Sequence, residues 1–307
     1  MKAAYFMKHG GPEVLQYGEV RDPVARPGEV VVDVHAASVN GADWKTRVGQ
    51  YRKITEFPYI PGRDFSGVVS ELGEGVKDFK IGDPVFGVVE QTDEATYAEK
   101  VAIKASIVAK KPERLSHIET AAVGLIGLTA IVSIEDTLKL KRGETILIQG
   151  GAGGVASFAI QLAKHIGAHV ITTASAANHD YLRSLGADRI IDYNAEDFTT
   201  VVSGCDAVFD TVGGDVATRS SAVLRPGGRA AFIASGGTAP PSPRPDVASL
   251  RPKVGRDRAH LERIVELVIS GAVRLPEIKV YPLSEAAAAH KVSEGRHLRG
   301  KLVFEVR

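Results

Sequence analysis

The chain has 307 residues, 44% of them hydrophobic and 24% charged, with a formal net charge of +1 and a single cysteine. Two domains of ordinary size fit that length, each able to build an apolar core. The near-neutral charge argues against a general nucleic-acid or membrane-surface binder, the lack of an unbroken apolar run of about 18 residues argues against a membrane span, and lone Cys205 excludes an internal disulfide or a multi-cysteine zinc site.

The opening residues carry no signal-peptide architecture and read as a first strand, so a cytoplasmic protein is expected. Up to about residue 115 the chain is rich in short β signals, at 30–37, 65–71, 84–89 and 97–103, bounded by Gly, Pro and Asp turns. That spacing predicts a compact, mostly antiparallel domain with a partial barrel. From about Ile118 the rhythm changes. A helical segment at 121–138 leads into strands at 146–149, 170–173, 189–193, 207–212 and 229–234, with helical or turn segments between them. This alternation predicts βαβ units and a parallel sheet covered on both faces. The Pro-rich stretch 235–258 breaks the pattern and reads either as a surface loop or as a lid or dimer arm. Helices at 259–270 and 286–294 and a closing strand at 301–306 complete the chain.

One turn organises the second half. After the apolar strand at Thr145-Ile146-Leu147-Ile148 come Gln149-Gly150-Gly151-Ala152-Gly153-Gly154-Val155-Ala156 and then a helix-friendly run from Ser157. Gly151, Gly153 and Ala156 fit G-x-G-x-x-A between a buried strand and a helix, the dinucleotide-binding pattern. Gly151 permits the tight turn, Gly153 lets backbone approach a pyrophosphate, and Ala156 lets the helix pack against the strand. Gly154 and Val155, between the turn and that helix, are further cofactor-binding candidates, beside a helix N-terminus whose unpaired N–H groups point at the phosphates. Sites that prefer NADH place an acid at the end of the second strand, for the ribose 2′-hydroxyl. Here that strand runs into Ser175-Ala176-Ala177-Asn178-His179, with no acid before Asp180. Ser175 and Asn178 suit a 2′-phosphate, so NADPH is the expected cofactor. Tyr193, ending the third strand, is an adenosine-side candidate or an ordinary strand-end tyrosine. Val212, Ile233, Ala234 and Ser235 leave the fourth and fifth strands, beyond whose carboxyl ends ligands bind.

The chain also resembles the medium-chain dehydrogenase/reductases, in their zinc-free, zeta-crystallin-like quinone oxidoreductase branch. The resemblance rests on Gly10-Gly11-Pro12-Glu13-Val14-Leu15, Ser38-Val39-Asn40-Gly41-Ala42-Asp43, Ile60-Pro61-Gly62-Arg63-Asp64-Phe65-Ser66-Gly67, Gly127-Leu128-Thr129, the glycine turn, Ser184-Leu185-Gly186-Ala187-Asp188 and Arg299-Gly300-Lys301-Leu302-Val303. It implies an α/β chain with a GroES-like, mostly-β catalytic domain (1–117 and 255–307) and a Rossmann domain (118–254), a doubly wound parallel sheet. It also implies an active site in the cleft and a homodimer sealed along the edge strand of the Rossmann sheet.

Where zinc-dependent relatives carry cysteine, histidine and an acid, this chain has Asn40, Arg63 and Asp64, of which neither Asn nor Arg is a normal zinc ligand. His165 and His169 have i, i+4 spacing, but Gly167 breaks the helix between them. No metal is therefore expected. Without a Lewis acid the chemistry suits acceptors that take hydride easily, quinones and α,β-unsaturated carbonyls. By resemblance Asn40 faces nicotinamide and substrate, where its amide can donate to a carbonyl. Asp43, three residues on, shares its helical turn or simply caps it. Lys45, in an Asp43-Trp44-Lys45 stretch similar to alkenal-reducing members, is a candidate for oxyanion charge or a solvated lysine. Tyr51 matches a position that borders the quinone pocket, and Thr129 one on the nicotinamide side. No catalytic triad is evident around Ser38 and His35, and Cys205 reads as an inert, semi-buried thiol. The competing reading is a catalytically weak NADPH sensor, or a zeta-crystallin-like RNA binder that the net charge disfavours.

Overall fold

The computed structural model describes residues 1–307 apart from 91, 92, 94 and 297. The chain begins with an antiparallel ribbon, β1 (Lys2–Phe6) on β2 (Leu15–Glu19), which the sequence signalled only in its first half. β3 (Glu29–Val39) follows. Its run of valines and alanines is buried almost throughout, as a strand covered on both faces requires. A short helix, α1 (Gly41–Arg47), leaves its end. β4 (Asp64–Leu72), β5 (Pro84–Val88), β6 (Lys100–Lys104) and β7 (Val108–Lys110) complete the antiparallel set.

α2 (His117–Ile131) starts four residues before the predicted helix and continues into a π-helical turn, Val132–Thr137. The combined segment His117–Thr137 is long and apolar enough to cross a membrane by length and composition, but 72% of its apolar window is buried inside the protein. Then come β8 (Thr145–Gln149), α3 (Gly154–Ile166), β9 (His169–Ala174), α4 (His179–Ser184), β10 (Arg189–Asp192), α5 (Phe198–Val201), β11 (Cys205–Asp210), α6 (Gly214–Arg219), β12 (Leu224–Phe232) and β13 (Ala248–Leu250). The six strands form one parallel sheet in the order β10-β9-β8-β11-β12-β13. Its core packs Leu147, Ile171, Ile191, Val208 and Phe232.

The stretch 235–258 is mostly irregular, as expected of a loop, but it also holds a strand that was not expected. Its residues Ala248–Leu250 are the sixth strand, paired with β12. The flanking arginines anchor it: Arg244 donates to the carbonyls of Ser221 and Leu224, and Arg251 to that of Phe232. The prolines stiffen the crossover without ending the sheet.

The chain closes with α7 (Arg258–Ile269), β14 (Ile278–Pro282), α8 (Ala286–Glu294) and β15 (Lys301–Glu305). The strand order of the first sheet is β14-β15-β3-β4-β5-β7, with β6 also on β3, so the last strand lies inside the sheet. Its Phe304 ring packs edge-on against Tyr97 at 4.7 Å between centroids. Two compact units result. One comprises Met1–Leu125, Arg256–Glu266 and Leu275–Arg307; the other comprises Ile126–Gly255 and Leu267–Arg274. The first junction falls inside α2 rather than at the expected residue 117, because that helix runs on without a break. At the other end, residues 267–274 group with the second unit, where Gln161 of α3 exchanges two hydrogen bonds with the backbone of Arg274.

Candidate functional site

In the second unit the glycine turn is tied to the end of β9. Gly150, at φ +75°, turns the chain, and its amide donates to Thr173 Oγ1 (3.1 Å) while Gly151 N donates to Thr173 O (2.9 Å). A Cβ on Gly151 would lie 2.3 Å from Thr172 Oγ1, so only glycine fits there. At Gly153, which caps α3, a Cβ would meet nothing nearer than Gly150 O at 3.5 Å. The space beside Gly153 is thus left open by the protein. α3 begins at Gly154, three residues before the predicted start. The amides of Gly154, Val155 and Ala156 therefore have no intrahelical acceptor, and they face outward at the positive end of a 13-residue helix. This cradle fits a dinucleotide pyrophosphate.

Because β8 to β12 run parallel, Gly151, Ser175, Tyr193, Val212 and Ile233 all leave the same edge of the sheet. Ser175 and Asn178 are brought together: Asn178 Nδ2 donates to Ser175 Oγ (3.1 Å) and Asn178 N to Ser175 O (2.9 Å). The first acid of this region, Asp180, points into solvent and pairs with Arg183 at 2.6 Å. Tyr193 and Val212 are each about half exposed, at 53% and 50%. Val212 N donates to Oδ1 of the fully buried Asp210 (2.7 Å), whose carboxyl burial pushes up. Ile233 N donates to Asp210 O (3.1 Å), Ala234 follows it half-buried, and Ser235 Oγ donates to Thr238 O (2.8 Å). Thr129 lies on α2, almost wholly buried, with its carbonyl accepting from Ser133 Oγ (2.7 Å).

In the first unit, α1 is built on a buried polar cluster. Asn40 is the N-cap residue and is 9% exposed. Its Nδ2 donates to Asp64 Oδ1 (2.9 Å), and its Oδ1 accepts from Lys301 Nζ (2.8 Å). Asp64 also accepts from Ser38 Oγ (2.8 Å) and from the amide of Leu125 (3.0 Å). Asp43, expected among the catalytic groups, is instead 0% exposed. Its Oδ2 takes the Asn40 amide (2.8 Å) and the Tyr97 hydroxyl (2.7 Å), and Oδ1 lies 3.8 Å from Arg63 Nε. It is the carboxylate of the capping box of α1, the second of its two readings from the sequence.

Behind Asp43 runs a directed chain. Arg47 Nη1 approaches His290 Nδ1 at 3.0 Å, and Arg47 Nη2 donates to Glu294 (2.8 Å). Arginine can only donate, so Nδ1 accepts and Nε2 carries the imidazole proton, facing the Tyr97 hydroxyl at 3.4 Å. Burial first, and the Arg47 charge second, hold His290 down at about 3. No local pattern announces this chain, because its members come from α1, α8 and the segment before β6.

The other two candidates stand apart. Lys45 places Nζ over the Trp44 ring at 5.6 Å, a face it shares with Arg296. Burial, then Arg296, lowers the Lys45 ammonium. The exposed Tyr51 ring lies under the Arg63 guanidinium at 4.7 Å, which links it through Arg63 to Asp43. His165 and His169 are separated by Gly167, the left-handed C-cap of α3, and Cys205 is fully buried with its thiol pushed up to about 11. Among the described residues no three His, Cys, Asp or Glu side chains converge as a metal site needs.

A parallel Rossmann sheet with a glycine cradle in one unit and a mostly-β GroES-like fold in the other define a dehydrogenase/reductase. Residues 26–113 match the alcohol dehydrogenase GroES-like domain, and residues 185–304 match a domain described as zinc-binding dehydrogenase. The chain is 31% identical over 317 residues to a chloroplast envelope quinone oxidoreductase homolog of Arabidopsis thaliana, covering 96% of this chain and 95% of that protein. It is 32% identical over 316 residues to the NADPH-dependent alkenal/one oxidoreductase of the same plant, covering 99% of this chain and 79% of that one. The Escherichia coli quinone oxidoreductase, solved with NADPH, superposes with a TM-score of 0.90 at 28% identity, each chain covered completely. The chain belongs to the medium-chain dehydrogenase/reductase superfamily, among its quinone oxidoreductases. It is an oxidoreductase that uses a nicotinamide cofactor.

Proposed function

We propose that this protein is an NADPH-dependent, zinc-independent reductase of quinones or α,β-unsaturated carbonyls. The observation that carries the cofactor choice is the end of β9. It offers hydroxyl and amide groups at Ser175 and Asn178, and its nearest acid is turned to solvent and neutralised by Arg183. A carboxylate there would favour a free ribose hydroxyl, whereas a 2′-phosphate needs donors. The two Arabidopsis relatives and the Escherichia coli enzyme, by their names, support the acceptor class.

The donor set supports zinc independence. Of the three positions that carry zinc ligands by resemblance, Arg63 is a cation, the Asn40 oxygen already holds an ammonium, and Asp64 already accepts from three donors. The bound nicotinamide supplies hydride. The residues of this chain hold its pyrophosphate at the amides of Gly154, Val155 and Ala156, and offer the Asn40 amide N–H to the oxygen on which negative charge develops. Tyr51 and Lys45 are placed as further polar groups for the acceptor, and solvent delivers the proton. A homodimer joined along the free edge of β13 completes the proposal.

Steady-state turnover with a quinone and with an enal tests this reading. The expected kcat/KM with NADPH exceeds that with NADH by at least about tenfold, equivalent to about 1.4 kcal/mol. Chelation of divalent ions should leave the rate unchanged. Preference for NADH, or activity that returns only with added zinc, overturns it.

A further inference from the structure

Lys301 is 4% exposed, and its ammonium has two acceptors, Asn40 Oδ1 and Val39 O, both at 2.8 Å. A buried ammonium is costly unless paired, and the carboxylates that face it are Asp64 on β4 and Asp43 on α1. A carboxamide between a pure donor and a pure acceptor has one stable orientation. Turned over, it would set NH2 against an ammonium and carbonyl oxygen against a carboxylate. Oδ1 therefore stays on Lys301, and one N–H stays on Asp64 Oδ1 (2.9 Å). The second N–H has only Ser38 O, at the outer limit of 3.5 Å, so it is the one amide proton that an arriving oxygen can recruit. A cation on the oxygen of an amide also draws electrons from its nitrogen, which strengthens the remaining N–H as a donor.

We infer that Lys301 is the positioning residue of the reductase site: it fixes and polarises the Asn40 carboxamide so that an N–H, not an oxygen, meets the developing oxyanion. The inference rests on the proposed role of Asn40. Lys301 itself touches no acceptor. It sets the charge response of a side chain that does, so its loss acts on kcat rather than on cofactor binding.

A double-mutant cycle on the full chain, reading kcat for quinone reduction with NADPH, tests it. Asn40→Ala should lower kcat on the order of 100-fold, as loss of an oxyanion donor does. Lys301→Met, which keeps the apolar stem, should lower it about tenfold, as loss of an outer partner does, with NADPH affinity retained. The double variant should be no slower than Asn40→Ala alone. If the two losses multiply, Lys301 acts independently of Asn40 and the inference fails while the role of Asn40 stands. If Asn40→Ala turns over at the parent rate, the role of Asn40 fails and the inference with it. Should Lys301→Met not fold, Lys301→Gln enters the same cycle, and multiplying losses again overturn the inference.

Discussion

Asp43 and His290 are the residues whose surroundings most limit what they can do. Asp43 holds the helix-capping amide of Asn40 and the Tyr97 hydroxyl in a site sealed from water. Asp43→Ala would strand both donors, and loss of one partner from a buried charged cluster costs about 3 kcal/mol or more. Urea denaturation should register that loss, while affinity for the nicotinamide cofactor, which we assign to the glycine turn of the other unit, should hold. His290 makes stability depend on pH. Its folded value near 3 lies below the ordinary 6.5, so below pH 6.5 the unfolded chain takes up a proton that the folded chain refuses. Stability is therefore complete above pH 6.5 and falls toward pH 3, by up to about 1.4 kcal/mol per pH unit from this group. His117, held at about 4 chiefly by burial, adds in the same direction, less strongly because it is partly exposed. Denaturation midpoints at pH 7 and pH 5 should differ less in His290→Phe than in the parent. The setting of His290 was not legible in the sequence. Asp43 was, at a spacing of three, and its capping role was one of two readings. The Lys301 contact to Asn40 spans 261 positions, and no local pattern encodes it.

Among the elements, the strand-turn-helix at β8 and α3 was the most legible, because each glycine there answers a local constraint. Two of them answer different constraints, and substitution separates them. Gly151→Ala would drive a methyl to 2.3 Å from Thr172 Oγ1 and should destabilise the protein. Gly153→Ala fits the protein at φ −70°, with its nearest neighbour at 3.5 Å, and should leave thermal stability unchanged or raise it by about 0.5 kcal/mol. It nevertheless fills the space for the pyrophosphate and should weaken NADPH binding about tenfold or more by calorimetry. Equal damage to stability in both variants would show that Gly153, too, serves only the fold. β13 was the least legible element. Its three residues lie among prolines, and pairing with β12 rather than intrinsic preference makes them a strand.

At the scale of the molecule, the alternation of strands and helices marked out the second unit in advance, since every parallel pair of its sheet but β8 and β11 joins strands consecutive in sequence. The first unit was harder to read because its sheet is assembled from both ends of the sequence. Cofactor should stabilise the whole protein by mass action, about 2.7 kcal/mol at a hundredfold excess over Kd. The place of β15 carries a further consequence for biosynthesis. Translation delivers the parallel sheet in one continuous stretch, while in the other sheet the Ala36–Val39 end of β3 must wait for β15, which pairs it on one side and β14 on the other. That same strand brings Lys301 to Asn40. A chain without β15 would therefore keep every strand of the parallel sheet yet lose both a partner of β3 and the ammonium that holds the Asn40 carboxamide.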